Sequence, residues 1–374
     1  MPDTHTPAPI VNCFRLFIIS IVILLGACSN PPDREARVGR TGLAFTDAGR
    51  TAWTGEGPRP IITTVWYPAD STAQEVAWTV GVFRAGWTAP DAPLSDRHAP
   101  LPLVILSHGT GGAAAQLSWL AEELASNGYL VAAVHHHGNT ALEERLVPHG
   151  FVLWWERARD IRTVIDALLA DARFGPHIDS TRIGVAGFSL GGYTALSVAG
   201  ARVDRAAWEQ YCETHRTTPT CSLPPEAPFT MAEVEASLST DQRAQASLRE
   251  AGRSFRDHRI GAAFAIAPVL GPAFDPESLA NVSIPVRILV GTADRQARPS
   301  VTARPVARMI PRAELEMIPG AGHYTFLAPC SLRGRLFMRP LCADEDGIDR
   351  RDVHKRVAAD ARRFFDRSLP SSDY

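Results

Sequence analysis

The segment "VAGFSLGGYT" sets Ser189 between Gly187 and Gly191, directly after a short apolar run. A G-x-S-x-G pattern can mark a sharp strand-to-helix turn that lifts a serine hydroxyl clear of the backbone, and such a turn needs small neighbours. Chance also produces the pattern, so its partners must decide. A serine hydroxyl is a weak nucleophile at neutral pH and requires an adjacent base, usually histidine, oriented by a carboxylate. Asp294 closes the run "VRILVGTAD", and His323 lies in "PGAGHYTF". Both come after the serine, in the order Ser, Asp, His, with Asp294 at the end of its strand-like run and His323 just after the last one. The other histidines fit worse. His108 and His135 to His137 precede the serine, His215 and His258 lie in or beside a polar stretch, and His354 falls in a terminal helix. Nucleophilic acyl transfer by Ser189, with His323 as base and Asp294 as acid, is the chemistry these residues allow.

Negative charge developing on a carbonyl oxygen also needs preset N–H donors. The expected donors are the amide of Leu190, which follows the serine, and an amide of "HGTGG", which follows the run "PLVILS". Thr110 is the choice in that loop and Gly109 the second choice. No phosphate-cradling G-x-x-x-x-G-K-[ST] occurs.

These residues need a scaffold of alternating elements. "IITTVWYPAD" (61–70), "PLVILSH" (102–108), "LVAAVHHHG" (130–138), "RIGVAG" (182–187), "GAAFAIAP" (261–268), "VRILVGTAD" (286–294) and "AELEMIPG" (313–320) read as strands. Between them "SWLAEELASNGY" (118–129) and "WERARDIRTVIDALLAD" (155–171) carry apolar residues at helical spacing. "DVHKRVAADARRFFDRSL" predicts a closing helix. Such alternation argues for a mostly parallel sheet covered on both faces. Residues 201–258 break the pattern: they are polar, rich in Glu and Arg, and carry the irregular "TTPTCSLPPEAP". The stretch predicts an inserted helical cap on one domain spanning residues 28–374.

The 374 residues include 45% hydrophobic and 21% charged side chains, a globular balance, and the net charge of −2 gives no reason to expect a nucleic-acid partner. In "FRLFIISIVILLGAC" a basic residue precedes an apolar run from Leu16 to Ala27, the length of a signal-peptide core and too short to span a bilayer. The ending Leu25-Gly26-Ala27-Cys28 resembles the lipobox of bacterial lipoproteins. It implies a signal peptide over residues 1–27, a lipid on Cys28, and a soluble domain anchored to a membrane surface. Ser29 favours the outer membrane. In an oxidising compartment Cys212, Cys221, Cys330 and Cys342 suggest disulfides, of which Cys212–Cys221 and Cys330–Cys342 are the simplest pairing.

Taken together, "TTVWYPA", "LVILSHGTGG", "LASNGYLVAAVHHHGNT", "WERARDI", "GFSLGG", "GTAD" and "GAGHYTFLAPC" resemble secreted α/β-hydrolases of the predicted dienelactone hydrolase group, related to platelet-activating-factor acetylhydrolases. The resemblance implies an α/β-hydrolase fold and a serine esterase acting on small or lipid-like esters of short or medium acyl chains, without a metal or other cofactor. Two departures count. Dienelactone hydrolases proper use a cysteine nucleophile where this chain has Ser189. The related acetylhydrolases carry their acid after the preceding strand, here "AIAPVL", which has no carboxylate; Asp275, further on, is the weaker alternative to Asp294. Lipase, thioesterase, polyester hydrolase and peptidase activities use the same fold, and a binding protein could keep the fold without catalysis.

Other features carry less. The three adjacent histidines of "HHHGNT" point in alternating directions and cannot readily share an ion. His137 and Asn139 could still reach substrate from the rim, and so could Trp119. Trp154 and Trp155 could line an acyl pocket. Arg157 and Asp160, spaced i, i+3, read as a structural pair. A Cys330–Cys342 bridge would pin the loop that carries His323.

Overall fold

The computed structural model describes residues 32–95 and 100–371. The apolar run ending at Cys28, and Cys28 itself, lie outside the described residues. Among those described, no helix is long and apolar enough to cross a membrane.

The chain enters through antiparallel strands β1 (Arg37–Thr51) and β2 (Pro58–Ala69), followed by β3 (Val76–Val80) and β4 (Phe83–Pro90). Next come β5 (Leu101–Ser107), α1 (Ser118–Ser126), β6 (Leu130–His135), α2 (Pro148–Val152), α3 (Glu156–Ala170), β7 (Ile178–Phe188) and α4 (Leu190–Ala199). Three helices occupy the polar stretch: α5 (Arg205–Thr214), α6 (Met231–Thr240) and α7 (Gln242–Glu250). The remainder is β8 (Ile260–Ile266), α8 (Pro276–Ala280), β9 (Val286–Gly291), α9 (Ala303–Met309), β10 (Ala313–Ile318), α10 (Leu332–Phe337), α11 (Arg339–Cys342) and α12 (Arg350–Ser368).

The strands form one sheet in the order β10-β9-β8-β7-β5-β6-β2-β1-β4-β3. From β10 to β6 every pairing is parallel, and β2 joins β6 antiparallel. All residues of β5 and β6 are buried, as expected of central strands covered on both faces. The crossover from β5 to β6 runs one way along the sheet, and that from β6 to β7 runs back past β5. With right-handed crossovers, α1 and α3 therefore cover opposite faces. The order reverses at β5, so the loops after β5 and β7 open side by side at the carboxyl edge, where parallel sheets place ligands.

The strands expected from apolar runs are present with shorter ends. Strands β1, β3 and β4 were not apparent in the sequence. They lie at the far edge, and β1 alternates exposed and covered residues and carries Arg and Gly throughout, so no apolar run marks it. Among the described residues there are two disulfides, Cys212–Cys221 and Cys330–Cys342.

Candidate active site

Ser189 sits between β7 and α4 with φ 57° and ψ −116°, a left-handed backbone that costs a non-glycine residue about 1–3 kcal/mol. The turn closes only because its neighbours lack side chains. A Cβ at Gly187 would stand 2.1 Å from the Gly191 carbonyl oxygen, and one at Gly191 would stand 1.9 Å from that of Ser107. The Ser189 amide donates to the Ile266 carbonyl at 2.9 Å, tying the turn to the end of β8.

Two further strand ends supply partners. Asp294 follows β9, and its Oδ1 accepts from the amides of Gln296 at 2.9 Å and Ala297 at 2.7 Å. His323 follows β10 and packs on Phe188, with ring centroids 4.9 Å apart. His323 Nδ1 lies 2.7 Å from Asp294 Oδ2, and His323 Nε2 lies 2.9 Å from Ser189 Oγ. An ionised carboxylate requires the proton on Nδ1, which leaves Nε2 free to accept the serine hydroxyl. All three side chains are buried. Asp275 is elsewhere: it caps α8 and pairs with Arg202.

In the loop after β5, the Gly111 amide donates to Asn139 Oδ1 and the Gly112 amide to the Gly109 carbonyl. Those two donors are committed. Leu190, the first residue of α4, has an amide with no intrahelical acceptor. Thr110, Ser189, Leu190 and His323 all line a cavity of about 160 Å³. Phe151, Trp154 and Val269 supply apolar walls, while Trp208 and residues 219–226 roof the cavity from the polar stretch. Tyr324 donates to Glu226 at 2.6 Å, tying the roof to the loop that carries His323.

The sequence model of the alpha/beta hydrolase family matches residues 103–332, well over half of the chain and all three residues of this hydrogen-bonded set. The chain belongs to the alpha/beta hydrolase family. Over 106 residues, 28% of this chain, it is 33% identical to cutinase est1 of Thermobifida alba, covering 32% of that protein. It is 34% identical to cutinase 2 of Thermobifida cellulosilytica over a segment covering 36% of that protein. The match thus spans about a third of the cutinases' length. A ferulic acid esterase from Streptomyces cinnamoneus shares the fold with a TM-score of 0.61 and 21% identity, over 92% of this chain and 94% of that one. What the chain shares with these proteins is thus the broad alpha/beta hydrolase family, with a distant similarity to cutinases.

Several side chains of this alpha/beta hydrolase sit differently from the sequence expectation. His137, Asn139 and Trp119 do not line the cavity. His137 accepts from the Trp53 amide and meets Glu143 at 2.6 Å, and Trp119 donates to the Phe326 carbonyl and stacks on His354. Asn139 instead braces the loop after β5 through Gly111. Trp154 lines the cavity, whereas Trp155 is buried and donates to Ser247. Arg157 and Asp160 are not hydrogen-bonded to each other. Arg157 donates to the carbonyls of His108 at 2.7 Å and Gly109 at 3.2 Å and to Asn139 Oδ1 at 3.2 Å. Asp160 accepts from Arg50 at 2.6 Å, from Arg59 at 2.8 Å and 3.0 Å, and from His136 at 2.9 Å. Burial pushes the Asp160 carboxyl up, but the Arg59 and Arg50 charges and the His136 hydrogen bond overcome this and hold it well below its ordinary value. Desolvation is the larger effect on His136, lowering it to about 3.

Ser107 Oγ lies 2.9 Å from His136 Nε2, so Ser107, His136 and Asp160 form a second Ser–His–Asp chain. Ser107 is fully buried at the end of β5 and lines no part of the cavity, so its hydroxyl cannot meet a substrate. This buried chain stiffens the floor beneath the loop after β5. The Arg157 clamp was missed in the sequence, though it left a signal. Arg157 falls on the apolar stripe of α3 with Ile161, Val164 and Leu168, where a charge must find buried partners.

Proposed function

We propose that the protein is a serine hydrolase of carboxylic esters, favouring short to medium acyl groups. The observation that carries this reading is the continuous Ser189–His323–Asp294 hydrogen-bond chain opening on an apolar cavity. Ser189 Oγ attacks the ester carbonyl as His323 Nε2 takes its proton, and Asp294 holds the imidazole tautomer and stabilises the imidazolium. The amides of Thr110 and Leu190 receive the developing oxyanion. His323 then protonates the leaving alkoxide, and water repeats the sequence on the acyl-enzyme.

Residues 201–258 act as a cap that sets specificity, because they supply the roof of the cavity. A roofed cavity suits small or lipid-like esters better than a polymer chain, which favours this reading over a polyester hydrolase. The two disulfides support an exported domain in an oxidising compartment, in keeping with a lipoprotein signal over residues 1–27 and lipid on Cys28. A fluorophosphonate probe tests the chemistry. The wild type should label and Ser189→Ala should not; labelling that is absent from the wild type, or equal in both, refutes the proposal. A p-nitrophenyl ester series of increasing chain length then tests the acyl preference.

A further inference from the structure

The disulfide Cys330–Cys342 closes a ring, "CSLRGRLFMRPLC", that displays an unusual surface. Leu332 is 68% exposed, Leu336 63%, Phe337 76% and Met338 41%. Half of the large exposed hydrophobic side chains among the described residues thus fall in one seven-residue window. Exposed apolar residues scattered singly are ordinary, but a cluster of this kind marks an interaction surface. The side chains of Arg333, Arg335 and Arg339 are exposed in the same ring, and among the described residues none of them makes a hydrogen bond or ion pair, although Arg335 and Arg339 border a surface hollow that Asp344 and Asp349 also line. No carboxylate lies between the two cysteines, and the exposed Glu345 and Asp346 follow only after the ring has closed.

The exposure is built in. The Ser331 amide donates to the Val82 carbonyl at 2.8 Å, and the Arg84 amide to the Pro329 carbonyl at 2.7 Å. Gly334 is buried where a Cβ would meet Val82 Cβ at 2.9 Å and Cys342 Sγ at 3.1 Å. The ring is therefore seated on the β3–β4 hairpin by its backbone and its one glycine, which leaves the long side chains pointing outward.

We infer that this ring is a membrane-docking element, with Leu332, Leu336, Phe337 and Met338 entering the headgroup–acyl boundary of an anionic bilayer while Arg333, Arg335 and Arg339 engage its phosphates. Apolar side chains beside unpaired arginines are the combination by which interfacial segments hold to anionic lipid. The chain's entry point agrees. Arg34 donates to the Trp87 carbonyl on β4, the strand whose first residue, Phe83, pairs with Cys330. Four strand residues place these points about 13 Å apart. Cys28 is six residues before Arg34, a reach of at most about 20 Å. A tether at Cys28 would thus hold the ring close to the surface it anchors to.

The test reads lipid binding and not turnover, so it stands apart from the proposed ester chemistry. The described fold starts at residue 32, so a chain starting at Ser29 keeps all of it while lacking any lipid on Cys28. This chain is floated with extruded vesicles of phosphatidylcholine alone or with about 30% phosphatidylglycerol, an anionic content meant to resolve the electrostatic contribution. Wild type should float with the anionic vesicles. Phe337→Asp should cut the bound fraction about tenfold or more, and the triple change R333Q, R335Q, R339Q should abolish the preference for anionic lipid. Leu142→Asp, at an exposed apolar site outside the ring, should float like wild type, and ester turnover should be unchanged in all variants. Wild type that fails to float, or Phe337→Asp that floats equally well, overturns the inference. So does a wild-type dimer in sedimentation that Phe337→Asp turns into monomers, since the ring would then cover a second copy of the chain.

Discussion

Replacing Arg157 with lysine asks whether one guanidinium holds the loop after β5 in its working shape. In the native protein Nη1 and Nη2 serve three acceptors: the His108 carbonyl at 2.7 Å, the Gly109 carbonyl at 3.2 Å and Asn139 Oδ1 at 3.2 Å. A lysine ammonium is a point donor and cannot reproduce that fork. At least one acceptor then loses a charged donor, a hydrogen bond worth about 1.5–3 kcal/mol. The Gly109 carbonyl still accepts from the Gly112 amide and Asn139 Oδ1 from the Gly111 amide, so the expected response is a turn of the loop rather than an empty acceptor. Turning the Gly109 peptide swings the adjoining Thr110 amide away from the cavity. Losing one oxyanion donor typically lowers kcat about 100- to 1000-fold, and that is the range expected for Arg157→Lys on p-nitrophenyl acetate. KM should stay within about threefold, because the apolar walls are untouched. The decisive assay compares the oxygen ester with its thionoester, whose sulfur accepts hydrogen bonds poorly. If Arg157 positions the oxyanion donors, the variant loses far more on the oxygen ester, and the preference for it shrinks about tenfold or more. Equal losses on both substrates, or a kcat within about threefold of wild type alongside a lower melting temperature, would refute the reasoning and leave Arg157 a purely structural clamp.

Two further outcomes follow from the buried groups and the roof. Burial lowers His135 to about 4 and His136 and His354 to about 3, and it holds His108 well below its usual value. Because the unfolded chain binds protons on these four near pH 6.5 and the folded one does not, stability is full above that pH. It should fall on acidification toward pH 4, by up to about 1.4 kcal/mol per pH unit for each histidine. Glu122, raised by burial to about 7, opposes this as a single group, and Asp160 enters only below the ordinary carboxylate range. Urea midpoints at pH 7.5, 6 and 5 should therefore decline in order, and a flat profile would contradict the neutral buried histidines. The Cys212–Cys221 bridge closes the segment leading into residues 219–226 of the roof. A loop of this size gains about 2–3 kcal/mol of ordering from its cross-link. In the double Cys→Ser variant KM should rise about tenfold with kcat retained, since fewer molecules carry a formed cavity. An unchanged KM would show that the bridge does not shape the site.

What could be read without coordinates was whatever local chemistry dictates. Ser189 was legible because its turn demands glycines on both sides, Asp294 because it follows a buried strand whose apolar run is visible by itself, and His323 because it comes after the last strand in the order Ser, Asp, His. The parallel sheet was legible for the same reason, since strands covered on both faces are apolar at nearly every position. Residues defined by their partners were not. Whether Arg157 meets Asp160 or the carbonyls of His108 and Gly109 depends on which way α3 turns beneath the sheet edge, and spacing along one helix carries no such information. His137 and Asn139, in the turn "HHHGNT", and Trp119 could have reached substrate, but packing engaged them with the Trp53 amide, the Gly150 carbonyl and the Phe326 carbonyl instead. The exposed ring between Cys330 and Cys342 is the converse case. Its leucines and phenylalanine have the composition of a core segment, and only the hairpin that seats its backbone leaves them facing outward.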